Sequence, residues 1–329
     1  MQTAIVALIE AQGGAASSAE LTTLPGVTRH TVDALVRGKV LVRVRRGAFV
    51  LGRAFGSATA WERAELVARA VGHSLATGPG AHHALSHASA LMVHGLPYFG
   101  ADGLVHLVRF DGGRGRRDDA IFVHRPVEPH WVGSVEGLYV VRPALAALQV
   151  AALHGAEAGL VCLDGLLHQA EILDRKETGG RRGPARARVE EETEQGLLEG
   201  FGTANRVVRE VMDLADGRSE SVGESRSRWV LQMLGFGPLL PQFPVDLGDR
   251  TVYADLKLGR WPVLVEFDGR GKYDGPHALH AEKLREDALR ALGYEVVRLT
   301  WDDLANPRLV RHKILAAIAR AEATTRATA

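Results

Sequence analysis

Three carboxylates, Asp255, Glu266 and Asp268, stand in two short runs of the chain that alternate as β-strands do. In TVYADLKL, Val252, Ala254, Leu256 and Leu258 alternate with Tyr253, Asp255 and Lys257; in VLVEFDG, Val263, Val265 and Phe267 alternate with Leu264, Glu266 and Asp268. Successive strand side chains point to opposite faces, so Glu266 and Asp268 are expected on one face, about 7 Å apart. If the two runs pair as a hairpin through the 259–262 turn, Asp255 joins them. Gathered carboxylate oxygens suit a hard divalent cation, Mg²⁺ or Mn²⁺. The alternative is the solvated face of an antiparallel sheet. Against it, the acids of VLVEFDG sit inside an almost continuous apolar run, and Glu and Asp are depleted from strands.

The elements that would position these acids follow an order with a familiar look. SESVGESRSRWVLQMLGF reads as a helix, Gln242 lies on the next strand, and YADLKL, VLVEFDG and Lys272 follow. A helix from about 278 to 292 and GYEVVRLTWDDL complete the series. Residues 219–304 resemble the PD-(D/E)XK nuclease superfamily, in its very-short-patch-repair-endonuclease-like branch. The resemblance implies a restriction-endonuclease-like α/β/α sandwich over 219–320 and metal-assisted hydrolysis of DNA phosphodiesters with Mg²⁺ or Mn²⁺. Asp255 and Glu266 resemble the metal-binding acids of the core strands, Glu224 the acid of the first helix, and Gln242 the polar residue of the preceding strand. One position departs from the pattern. The signature strand ends in acid–x–Lys, and here Asp268 stands where the lysine would be. Lys257, on the same strand face as Asp255, and Lys272 are the candidate substitutes; Lys283 and Arg285 are candidate phosphate contacts. Each has the alternative of an ordinary surface cation.

Other hydrolytic chemistries find no motif: there is no G-x-S-x-G elbow, no Walker loop and no H-E-x-x-H. Cys162 is the only cysteine, which excludes a disulfide within the chain and a multi-cysteine zinc site. The 329 residues suggest two or three domains. A net charge of +1 says little about nucleic acid, so charge has to be read locally. No basic n-region opens the chain and no apolar run approaches ~18 residues, so a cytoplasmic protein without a membrane span is expected.

The first fifty residues carry a second pattern. AIVALIEA is amphipathic, Ser17 and Ser18 are candidate N-caps of a second helix, and Thr28 caps a third that ends at Gly38. LVRVRRGAFVLG then reads as a β-hairpin around Arg45-Arg46-Gly47. Helices followed by a hairpin predict a winged helix-turn-helix over 1–52. Thr28, Arg29, His30 and Thr31 would meet base edges or phosphates, and Arg43, Arg45 and Arg46 would form a basic wing. A winged helix used for protein contact is the alternative.

Residues 1–175 resemble the AbiEi-type antitoxins of type IV toxin–antitoxin systems, through VTRHTVDALVRGKVLVRVRRGAFVLG, GPGAHHALSHASALMVHGL, VHLVR, IFVHR and GLYVVRPALAALQVAALHG. That implies an α/β domain over 53–176. In the histidine-rich stretch, His82, His83 and His87 could share a helix face by spacing, and a packed, polar-capped helix is expected there. GGRGRRDD at 112–119 reads as a loop between strands. The Gly-, Pro- and Arg-rich 177–192 reads as a domain boundary, with linker and connecting helix over 177–218. The chain is thus expected to be a multidomain α/β protein with DNA as partner; a toxin partner and a homodimer are open. Two function classes follow. One is a nuclease carried to DNA by the winged helix. The other is a non-catalytic DNA-binding regulator or antitoxin with a degenerate nuclease domain.

Overall fold

The computed structural model describes residues 1–78, 80–180, 182–269 and 276–328. The elements run α1 (Gln2–Ala11), β1 (Ala15–Ser17), α2 (Ser18–Thr23), α3 (Arg29–Arg37), β2 (Leu41–Arg45), β3 (Ala48–Leu51), α4 (Gly52–Ser57) and α5 (Ala60–Leu75). Next come β4 (His83–Leu85), α6 (His87–Val93), β5 (Val105–Arg109), β6 (Arg116–Arg117), β7 (Ile121–Val123), β8 (Val132–Val135) and β9 (Leu138–Val141). α7 (Pro143–His154), α8 (Ala156–Thr178), α9 (Pro184–Gly196) and α10 (Arg206–Leu214) follow. The chain ends with α11 (Val222–Met233), β10 (Leu239–Asp246), β11 (Thr251–Leu258), β12 (Val263–Phe267), α12 (Pro276–Ala291), β13 (Glu295–Leu299), α13 (Trp301–Leu304) and α14 (Pro307–Thr328).

This mixed α/β chain forms two compact units, Met1–Cys162 with Ala187–Asp213, and Leu163–Arg186 with Leu214–Ala329. The chain passes between the units inside α8, at Arg186–Ala187 within the Gly- and Arg-rich stretch where the sequence suggests a boundary, and after Asp213. Within that stretch the Asp174 carboxylate accepts the backbone N–H groups of Ala185 and Arg186, and α9 starts at Pro184. A loop composition is overridden by a helix start whose first amides have a carboxylate to bind. No helix among the described residues is long and apolar enough to cross a membrane.

In the first unit, Ser17 and Thr28 head α2 and α3 with reciprocal capping boxes, to Glu20 and Thr31 respectively. Ile5, Ile9, Leu21, Val32, Leu41 and Phe49 form the core beneath a three-stranded sheet of order β1-β3-β2. Gly47, at φ +78°, makes the β2–β3 turn, a backbone region closed to most side chains. A six-stranded sheet of order β6-β7-β5-β4-β9-β8 occupies the rest. Within it, the expected 112–119 loop contributes the short strand β6, paired antiparallel with β7.

The second unit is built on a four-stranded sheet of order β10-β11-β12-β13, with β12 and β13 parallel and the other pairs antiparallel. β12 is buried along its whole length. Leu231 of α11 and Val310 and Ile314 of α14 pack with Leu256, Val263 and Val265, while Leu289 of α12 packs with Leu264 and Val296. Helices thus close both faces of the sheet, which is what lets a central strand carry apolar residues on both faces. α11 is tied to the α8 segment by Asp164, fully buried, which receives the Arg228 guanidinium at 2.6 Å on both oxygens and the Asp216 N–H at 2.8 Å. Burial raises the Asp164 carboxyl against the pull of Arg228.

Removing one partner would strand the other charge in the interior, at a cost of about 3–5 kcal/mol. Asp164→Ala is expected to lose that much in denaturant unfolding of the second unit, and a loss under ~1 kcal/mol would show that water reaches the arginine.

Candidate functional site

The carboxylate site sits where β11 and β12 run together. The pairs Leu256↔Val265 and Lys257↔Leu264 carry the antiparallel register to Asp255 opposite Glu266. Asp255 Oδ2 accepts the Phe267 N–H at 2.7 Å, so its carboxylate is held at the end of β12. Gln242 falls between the pairs Pro241↔Leu256 and Phe243↔Ala254, across from Asp255, with φ at +48°. A left-handed non-glycine residue costs about 1–3 kcal/mol and persists only where its surroundings fix it. Its Nε2 donates to Glu224 Oε2 at 3.2 Å.

Glu224 comes from the first turn of α11, capped by Ser221. Its carboxylate accepts from the Glu220 N–H and the Ser221 hydroxyl as well. Burial, and after it the charge of Asp255, push this carboxyl above the usual carboxylate range. Two anions close enough to raise one another are repelled until a cation or a proton intervenes. Gly223 makes the approach possible, because a Cβ there would run into the Phe267 ring. The donor set is oxygen only, which fits a hard divalent ion. Of the acids expected to bind a cation, Glu224 and Asp255 are the two whose charges meet, and Glu266 lies on the next strand.

The cations are arranged differently from the lysine pattern. Lys257 Nζ turns to the carbonyls of Leu258 and Trp261, at 3.1 and 3.4 Å, and lies over the Phe243 ring. It thus closes the hairpin turn, and burial lowers its ammonium. Lys272 lies outside the described residues, and Lys283 is exposed on α12. Arg285 of α12 reaches Glu266 Oε1 at 3.0 Å and donates to the Tyr253 carbonyl at 2.6 Å. Asp268 lies one residue past the end of β12, where its N–H donates to the Leu299 carbonyl. The strand alternation that would put it beside Glu266 stops at Phe267.

Among the residues expected to meet DNA, Thr28 and Thr31 spend their hydroxyls on the α3 capping box. Arg29 and His30 are exposed. Arg43 pairs with Asp33 and lies over Phe49, and Arg45 pairs with Asp118 at 3.3 Å. Arg46 is exposed at the hairpin tip beside Gly47.

A histidine cluster escaped the sequence reading. His82 and His83 share no helix with His87: His83 is in β4, and His87 begins α6. His87 instead meets His106 of β5 and His124, just beyond β7. The signal was present in VHLVR and IFVHR, each with a histidine in or beside a strand, but their partnership depends on β5 and β7 being neighbours. Burial first, then the other histidines, hold His87 well below the ordinary imidazole range and His124 down to about 3. His106 is also lowered by burial, against the pull of Asp102.

No protein-family model matches the chain. Two proteins of Mycobacterium tuberculosis are similar to it: Uncharacterized protein MT2308 of strain CDC 1551 / Oshkosh and Uncharacterized protein Rv2248 of strain H37Rv. Each is 27% identical over 296 residues, which span 87% of this chain and 97% of the relative. Their likeness crosses both units.

An ion that binds only the folded protein raises its melting temperature. Mn²⁺ is expected to raise the Tm of the wild type relative to chelator. Asp255→Asn keeps an acceptor for the Phe267 N–H while removing the charge; it should match or exceed the wild-type Tm in chelator and lose the Mn²⁺ shift. An undiminished shift in the variant would remove Asp255 from the ligand set.

Proposed function

We propose that the chain binds DNA through its first fifty residues and hydrolyses phosphodiester bonds at the β11–β12 carboxylates with a divalent cation. The observation that carries this reading is the approach of Glu224 on α11 to Asp255 on β11, close enough for Asp255 to raise the Glu224 carboxyl, with Glu266 on the adjoining strand β12. A restriction-endonuclease-like reading of the second unit is supported by its mixed sheet with helices on both faces. A winged-helix reading of residues 1–52 is supported by α1–α3 followed by the β2–β3 hairpin.

When bound, Mg²⁺ or Mn²⁺ supplies Lewis-acid charge withdrawal and a more acidic water. Glu224, Asp255 and Glu266 would hold it. Among the described residues Arg285 is a cation paired with Glu266, and its guanidinium suits a phosphate oxygen. Arg46, exposed at the hairpin tip, meets the DNA backbone, with Arg45 joining it by exchanging Asp118 for a phosphate.

A second reading, a non-catalytic DNA-binding regulator, is favoured by the same ion pair: Arg285 already neutralises Glu266, and Lys257 is committed to the hairpin turn. Incubation of the purified chain with plasmid, linear and single-stranded DNA in Mg²⁺ or Mn²⁺ separates the two. The nuclease reading expects cleavage that falls by about a hundredfold or more in Glu266→Gln, with DNA affinity kept. An inert wild type that still binds DNA tightly gives the ground to the regulator.

The DNA-binding half has its own test. The double substitution Arg45→Ala, Arg46→Ala is expected to weaken binding evenly across sequences and to reduce the log–log salt slope by roughly one for each lost phosphate contact. Unchanged affinity would turn the hairpin into a protein-contact element.

A further inference from the structure

We propose that His87, His106 and His124 form a binding site for a transition-metal ion of the zinc class. The site lies wholly within the first unit and rests on nothing assumed about the carboxylates of the second.

The geometry begins with convergence. One ring nitrogen from each of the three residues lies within 4.8 Å of the other two. Zinc binds imidazole nitrogen at about 2.0–2.1 Å, which sets tetrahedral ligands roughly 3.3 Å apart, so small side-chain movements bring the three onto one ion. His106 Nδ1 and His124 Nε2 are already 2.8 Å apart. On its other side, His106 Nε2 lies 2.9 Å from Asp102 Oδ1. A carboxylate there takes the Nε2–H and fixes the tautomer whose Nδ1 lone pair points at the cluster, the usual outer support of a metal-bound histidine. His87 Nδ1 lies 3.0 Å from the Ser86 hydroxyl, which leaves its Nε2 to ligate.

The rings are held as a stack. His87 lies on His124 with centroids 3.8 Å apart, and Phe122 covers His124 at 3.7 Å. His87 takes a left-handed φ of +51°, a conformation an imidazole-bearing residue adopts at a cost. Gln149, from α7, accepts its N–H at 3.2 Å. Buried imidazoles stay neutral because desolvation penalises the cation, and the neutral ring is the form that binds a metal.

Nitrogen donors select the ion. Three imidazoles suit zinc, copper, nickel or iron and are poor ligands for Mg²⁺. His87 and His124 also line a cavity of about 760 Å³ with Gln149, Trp131, Arg116 and Arg117, so a fourth coordination position is reachable by water or a further ligand. A rival set shares His106: Asp102, His106 and His154 also converge within 4.8 Å, and His154 Nε2 is buried with no hydrogen-bond partner among the described residues. The three-imidazole set is preferred because two of its members line the cavity, and because Asp102, already bonded to His106 Nε2, then has an outer role.

The test is a calorimetric titration of the chelator-treated full chain with Zn²⁺, in excess Mg²⁺ to occupy the oxygen site. The expected result is one Zn²⁺ per chain, with affinity lowered at least a hundredfold in His87→Ala and His124→Ala. Asp102→Asn should weaken it about 10- to 100-fold, and His154→Ala should stay within twofold. Co²⁺ in place of Zn²⁺ should give the intense visible bands of a tetrahedral centre. Absence of Zn²⁺ binding by the folded wild type overturns the proposal, a result that no variant's folding can obscure. Loss of binding in His154→Ala with retention in His87→Ala also overturns it, in favour of the rival set.

Discussion

Holding a half-buried carboxylate, Asp255, against a buried one, Glu224, is the constraint on which the carboxylate end of the second unit depends. Glu224 and Asp255 repel, and burial removes the water that would soften the repulsion. Each is therefore held by donors: Asp255 by the Phe267 N–H, Glu224 by Ser221, the Glu220 N–H and Gln242. The backbone accommodates them at two places, Gln242 in the left-handed region and Gly223 against the Phe267 ring. Asp164 and Arg228 anchor the same helix, α11, two turns or less from Glu224. Strain, close approach and a buried ion pair all converge on one pair of acids. Such convergence accompanies sites kept for a cation or a reaction more often than sites kept for stability.

The sequence made much of this legible because the relevant signals are local. Alternation over 251–267 defines β11 and β12, which pair antiparallel through Leu256↔Val265 and Lys257↔Leu264. Ser17 and Thr28 announce their helices through capping chemistry that spans three residues. What was not legible depends on contacts distant in sequence. Alternation cannot tell where pairing stops, so Asp268 seemed to share the strand. The composition of 177–192 cannot reveal that Asp174 caps a helix starting at Pro184. Lys257 and Asp255 do share a strand, yet the direction of a long side chain is decided by acceptors at the turn. His106 of β5 and His124, just past β7, meet because β5 and β7 pair in parallel, as His106↔Phe122 shows.

On the proposed readings the two units divide metal chemistry by donor type. Oxygen ligands with buried negative charge suit Mg²⁺ or Mn²⁺ in the second unit, and neutral nitrogen ligands suit zinc in the first. Neither set serves the other's ion well. Arg285 pairs with Glu266, so a bound phosphate and the acid would compete for one guanidinium. Whether the unit cleaves DNA or only holds it turns on that competition.

The most direct measurement is a crystal structure of the chain grown with Mn²⁺, with anomalous diffraction to locate the ion. The account predicts a peak about 2.2 Å from carboxylate oxygens of Asp255 and Glu266 with Glu224 beside it, and Arg285 displaced from Glu266. An empty carboxylate cluster at millimolar Mn²⁺, with Arg285 still paired to Glu266, would contradict it.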